Sequence, residues 1–145
     1  MKEIYHCLWI NAPIREVHAA ITKKSGLSAW WTKSADVGNT AGSISTFRFK
    51  SGAFNRMKIV TRKQDKIEWL CVDGHEEWIG TQITFKLGKD GPGTKVCFSH
   101  YNWKKQSEYT GECSFHWARY LLSLKQLCET GQGTPDDGAS LEEIG

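Results

Sequence analysis

The sequence predicts an α+β domain in which one curved antiparallel sheet of about six to seven strands wraps around a long C-terminal helix, with two short helices after the first strand. Three observations predict it. Between residues 42 and 103, short alternating strands follow one another across tight turn signals, the pattern of an antiparallel meander. From about residue 107 to 130 an apolar stripe recurs at i, i+4, i+7 spacing, one face of a helix. A sheet with a single apolar face must bury it, and only that helix is long enough to cover it.

Each element follows from its own residues. IYHCLWI (4–10) is rich in strand formers and stops at Asn11-Ala12-Pro13. Asn11 is expected to cap the helix that follows, since Pro is tolerated in a first turn. Ile14, Val17, Ala20 and Ile21 recur at helical spacing, predicting a helix over 13–24 that Ser25-Gly26 breaks. LSAWWT (27–32) predicts a second short helix or turn carrying Trp30 and Trp31. SISTFRFK (43–50) puts Ser45, Phe47 and Phe49 on one face, and FNRMKIVTR (54–62) does the same with Met57 and Ile59. KIEWLCVD (66–73) alternates Ile67, Trp69 and Cys71, and EWIGTQITFKL (77–87) reads as one long strand with Ile79, Thr81, Ile83, Phe85 and Leu87 in register. GKDGPG is a hairpin loop, and TKVCFSHYNW (94–103) returns from it with Val96, Phe98 and His100 inward. The helical stripe runs through Cys113, Trp117, Tyr120, Leu121, Leu124 and Cys128, and Gly131 sits where a helix-ending glycine belongs. Residues 1–131 form a single domain on this reading, and 132–145 a flexible acidic tail.

Composition excludes several classes. The chain has 145 residues, 39% hydrophobic and 24% charged, enough for one domain with a real core. A net charge of +3 is too small to imply a nucleic-acid partner. Outside the last fifteen residues the balance is 19 basic against 12 acidic, nearer +7, but the basic residues are scattered. The five cysteines have no CxxC spacing, the apolar run before Asn11 is too short for a signal peptide, and no segment reaches the ~18 apolar residues of a membrane span. Reduced thiols in a cytoplasmic protein are the expectation, with no membrane association.

INAPIREVHAAIT, the Trp30-Trp31 pair, WIGTQITFKL, GTKVCFSHYNW and HWARYLLSLKQLCETGQGTP occur in the order found in the START-like (SRPBCC) superfamily. Over residues 1 to about 135 the chain resembles the branch named after the activator of heat-shock protein 90 ATPase, specifically its C-terminal domain and single-domain bacterial homologues. His18 departs from that pattern, where a bulky aromatic is expected. The resemblance implies a helix-grip fold with a hydrophobic cavity between sheet and helix. Superfamily members bind lipids, sterols, polyketides or plant hormones, and some are cyclases or oxygenase subunits. The resemblance brings no catalytic motif that can be matched residue by residue.

Cys113 and His116 lie three apart on one helical face, as two metal ligands could, but zinc needs three or four. Nothing in the spacing brings His6, His75 or His100 to them, and a Cys-His nucleophile would need an orienting third group. No metal and no cofactor are therefore expected. The aromatics are the stronger signal. Trp30, Trp31, Phe47, Phe49, Met57, Trp69, Trp78, Phe98, His100, Trp117, Tyr120, Leu121 and Leu124 are the candidates to surround the space between sheet and helix. They either fill it as core or line it for a ligand. The leading expectation is a non-enzymatic module binding a hydrophobic or aromatic, lipid-like small molecule, as a monomer or homodimer. A co-chaperone-like interaction module in the stress response is the alternative. The second alternative is a cyclase or hydrolase using His100 with Arg48 or Tyr101.

Overall fold

The computed structural model describes residues 3–139. Strand β1 (Glu3–Ile10) leads into helices α1 (Ile14–Thr22) and α2 (Lys24–Trp30). Then come β2 (Ser34–Asp36), β3 (Ile44–Arg48), β4 (Phe54–Arg62), β5 (Lys66–Gly74), β6 (Gln82–Asp90), β7 (Gly93–Tyr101) and α3 (Glu108–Thr130). The seven strands form one antiparallel sheet in the order β1-β7-β6-β5-β4-β3-β2. The two short helices carry the chain from one edge of the sheet to the other, so β1 and β2 end up farthest apart. α3 lies on the concave face: this is the helix-grip arrangement.

Alternation decides which face is which. Ser45 and Phe47, Met57 and Ile59, Ile67, Trp69 and Cys71, Ile83 and Phe85, and Val96, Phe98 and His100 are all buried against the helix side. α3 answers with Cys113, Trp117, Leu121 and Leu124 buried and Tyr120 and Cys128 half-buried. Its start is fixed by Ser107, whose N–H donates to Thr110 Oγ1 at 3.1 Å and whose hydroxyl donates to the Glu77 carboxylate. Gly131 ends it at φ 87°, a left-handed conformation that glycine takes without cost.

Three expectations are corrected in detail, and one short strand is added. Asn11 does not cap α1: Pro13 takes that position, and the Asn11 N–H instead donates to Glu129 of α3 at 2.7 Å. That bond and Lys125 hold the Glu129 carboxyl below its usual range. The helix expected over 13–24 ends at Thr22: the break falls at Lys23, which is extended, and Ser25-Gly26, expected to break it, lie inside α2. β2 was not predicted, because three residues with one buried side chain carry no readable alternation. The strand expected from Glu77 begins at Gln82: residues 75–81 form a loop in which the N–H groups of Trp78 and Ile79 both donate to the His75 carbonyl. Ile79 is accordingly exposed.

Of the tail expected from residue 132, residues 140–145 lie outside the described residues. Residues 132–139 run back along the domain. Thr134 N–H donates to Ser123 Oγ of α3, and Asp136 pairs in parallel with Thr32, donating to the Trp31 carbonyl and accepting from Lys33 N–H.

The α1–α2 corner is tight. A Cβ on Gly26 would stand 2.4 Å from Ala20 Cα, beside the carbonyl that accepts the buried Trp30 indole N–H at 2.8 Å. Gly26→Ala is expected to lower stability by about 1–3 kcal/mol, the cost of overpacking a core, read as a lower urea midpoint with an unchanged m-value.

Candidate functional site

The space between sheet and helix is filled at one end and open at the other. At the filled end Trp69, Phe85 and Phe98 pack edge to face, with ring centres 5.3 and 5.2 Å apart along the row. Trp31 forms the boundary. It stacks on Trp69 at 5.9 Å and 9°, touches Phe47 at 4.4 Å, and meets Trp117 of α3 at 5.1 Å. Beyond it lies a cleft of about 640 Å³, a volume within the range of small-molecule sites.

Three segments line the cleft. α3 contributes Tyr109, Glu112, Cys113, His116, Trp117 and Tyr120; the β3–β4 turn contributes Phe49, Ser51 to Ala53, Phe54 and Asn55; and the 74–78 stretch contributes Gly74, His75 and Trp78. Trp31 and Asp136 complete the wall. Of the thirteen residues predicted from sequence, Trp31, Phe49, Trp78, Trp117 and Tyr120 line this cleft. Trp30, Phe47, Met57, Trp69, Phe98, His100, Leu121 and Leu124 are buried in the packed core instead. Tyr109 and His75 stack at 4.1 Å and 15°; Tyr109, four residues before Cys113, extends the α3 stripe and is legible by that spacing, whereas His75 sits in a loop with no periodic signal. Phe54 and Asn55 escaped the sequence reading because they lie beside a turn.

The polar groups around the cleft have distinct states. Trp117 N–H donates to His100 Nδ1 at 3.1 Å, and His100 Nε2 stands 2.8 Å from Thr81 Oγ1. An indole can only donate, so Nδ1 is the acceptor and Nε2 carries the proton that goes to Thr81. The Thr81 hydroxyl in turn donates to the Trp78 carbonyl at 2.6 Å. Burial pushes the His100 imidazole down to about 3, so it is neutral. The Cys113 thiol and the Tyr120 phenol are both pushed up by burial, which disfavours a thiolate nucleophile beside His116. Among the described residues no group of three or more His, Cys, Asp or Glu side chains could hold a metal ion. Asn55, buried on the inward row of β4, has a carbonyl oxygen with no partner. Gly74 opposite it, at φ 132°, leaves room that a Cβ would take, 3.3 Å from Asn55 Cβ.

Comparison with known proteins bears on the same fold. The family model described as Activator of Hsp90 ATPase homolog 1-like protein matches residues 11–129. A solution structure of the Aha1 dimer from Colwellia psychrerythraea is 33% identical, covering 92% of this chain and 100% of that one, with a TM-score of 0.84. A protein from Staphylococcus saprophyticus is 18% identical over 95% of this chain and 98% of its own, with a TM-score of 0.77. One from Bacillus halodurans is 19% identical over 89% and 98%, at 0.72. These last two show a shared fold alone. No curated protein matches the chain in sequence, and no helix among the described residues is long and apolar enough to cross a membrane.

His100 makes stability depend on acid. Its folded pKa lies below its ordinary value of about 6.5, so the unfolded chain takes up a proton that the folded chain refuses. This contribution is complete above about pH 6.5 and is lost as pH falls towards 3, at up to ~1.4 kcal/mol per pH unit. Melting midpoints followed from pH 7 to pH 4 are expected to fall, and His100→Gln is expected to flatten that slope while lowering the midpoint at pH 7.

Proposed function

The chain belongs to the Activator of Hsp90 ATPase homolog 1-like family, within the START-like superfamily, and from that premise we propose that its cleft binds a flat, hydrophobic small molecule. One observation carries the reading. Aromatic side chains from four separate segments, Trp31, Phe49, Trp78, Trp117 and Tyr120 among them, pack around the margin of a single cleft and leave its interior open. Side chains of this kind supply large contact area at low entropy cost, and the few polar groups among them suit orientation of a ligand more than its chemical conversion. The function is binding, not catalysis. His100 supports this, because both its nitrogens are engaged in holding Trp117 and Thr81 and it has no free atom to offer a substrate.

A second reading concerns partners. The Colwellia psychrerythraea relative is an Aha1 dimer, and the solvent face of α3 exposes Phe115 and Leu122, 67% and 61% accessible and one i, i+7 step apart. These favour a homodimer or chaperone-docking module that uses the outer face of α3 and leaves the cleft free.

Titration with 2-naphthol, a flat aromatic bearing one hydroxyl, followed by tryptophan fluorescence, tests the first reading. Saturable quenching with a dissociation constant on the order of micromolar to tens of micromolar is expected. Phe49→Ala and Tyr120→Ala are each expected to weaken it about tenfold, matching ~1–1.5 kcal/mol for one aromatic contact, with a melting midpoint near that of the parent. Quenching that rises linearly without saturation, or survives both substitutions unchanged, refutes the cleft as the site.

A further inference from the structure

The outer face of the sheet carries a site of another kind. Along β1 the even-numbered residues Ile4 and Ile10 are buried, whereas Tyr5, Cys7 and Trp9 point outward. On β7, Val96, Phe98 and His100 are buried, which turns Lys95, Cys97 and Ser99 outward. In the β1–β7 ladder Cys7 stands directly opposite Cys97, and their sulfurs are in contact at 2.6 Å, both as free thiols. Directly opposed residues in an antiparallel ladder have Cα atoms about 4.5–5.5 Å apart, inside the window of about 4.4–6.8 Å that a disulfide requires. Cys7 is exposed, so a reagent can reach it. The Tyr5 hydroxyl reaches both sulfurs, Lys95 lies near Cys7, and Lys86 of β6 is paired opposite Cys97 on its other side.

The remaining thiols are placed differently. Cys71 and Cys113 are buried and Cys128 is half-buried. Burial pushes Cys71 up to about 11 and Cys128 up to about 12, and raises Cys113 as well. Burial and the neighbouring Cys97 sulfur raise the Cys7 thiol as well, so geometry is what sets the pair apart: Cys7 is exposed with its partner sulfur directly opposite, whereas Cys71 and Cys113 are buried and Cys128 is half-buried.

We propose that Cys7 and Cys97 form a reversible thiol-oxidation site that closes into one intramolecular disulfide across the β1–β7 edge. With a low-molecular-weight disulfide such as oxidised glutathione as oxidant, the Cys7 thiolate attacks one glutathione sulfur and expels the other half as thiolate. The Cys97 thiolate then attacks the Cys7 sulfur of the mixed disulfide, forming the protein S–S bond and releasing the second glutathione thiolate. The two protons from the protein thiols end on the two glutathiones, and two electrons pass from protein to glutathione. The product ties the edge strand to the strand whose inward face carries Phe98 and His100. It also links residues 90 positions apart, a separation at which cross-linking restricts the unfolded chain strongly.

The test uses the full chain, reduced and then incubated with oxidised glutathione. Intact mass is expected to fall by two hydrogen atoms, and digestion is expected to yield a single linked pair joining the Cys7 and Cys97 peptides. The melting midpoint is expected to rise and to return after dithiothreitol. Cys97→Ser should stop the reaction at a glutathione adduct on Cys7, Cys7→Ser should prevent the linked pair, and Cys128→Ser should change nothing. Both positions face outward, so serine there leaves the core intact, and equal midpoints of the reduced proteins check this. A parent protein that keeps a stable glutathione adduct, that dimerises through Cys7, or whose two cysteines both still alkylate after oxidation overturns the proposal.

Discussion

A single buried imidazole ties together the three parts that shape this domain. His100 belongs to β7, accepts the indole N–H of Trp117 from α3, and donates to Thr81 at the end of the 75–81 loop. Its own carbonyl accepts the Trp103 indole N–H at 2.9 Å. Each bond is worth only about 1 kcal/mol net, but a donor left unpaired at this depth costs about 1–3 kcal/mol. The arrangement is therefore all or nothing: with the ring neutral and both nitrogens used, helix, strand and loop have one mutual position. The cleft inherits its walls from that position, because Trp117 and Trp78 are the residues at either end of the chain of bonds.

Residue volume decides where the core stops. At the closed end large rings interleave, with Phe85, Phe98 and Trp69 leaving no room between sheet and helix. At the open end the facing positions are Ser51, Gly52, Ala53, Gly74 and Cys113. Small side chains on both sides of a gap cannot meet across it, so the aromatic rings around them stand at its margin. Asn55 marks the transition on β4, one step beyond Met57 and Ile59 on the same inward row. An apolar side chain there would extend the core, whereas the amide, with its oxygen unpartnered, ends it.

Much of this was legible in the sequence. The strand faces, the helix stripe and the Gly131 stop follow from periods of two and 3.6 and from a glycine's freedom at positive φ, and the structure bears them out. The resemblance to the activator family was carried by ordered fragments, and it agrees with the match over residues 11–129. What the sequence hid was the partition between core and cleft. Phe47 and Phe49 are indistinguishable by alternation, yet one is fully buried and the other lies at the cleft. Depth along a curved sheet depends on what the opposite element brings, and alternation records only a side. The 75–81 loop was hidden for a related reason: Ile79 and Thr81 continue the alternation of β6, while Gly74 and Gly80, at φ 132° and 89°, bend the backbone out of it.

The segment after α3 gives the cleft a property that neither sheet nor helix supplies. Asp136 is fastened at four points: to the Trp31 carbonyl, to Lys33 N–H, and through one carboxylate oxygen to the N–H groups of Lys50 and Gly138 at 2.8 Å each. Its side chain is also part of the cleft wall. The stretch from Gly131 to Asp136 thus straps the end of the helix to the wall of the cleft. The position of that wall is tied to a short connector and not to the sheet or the helix alone.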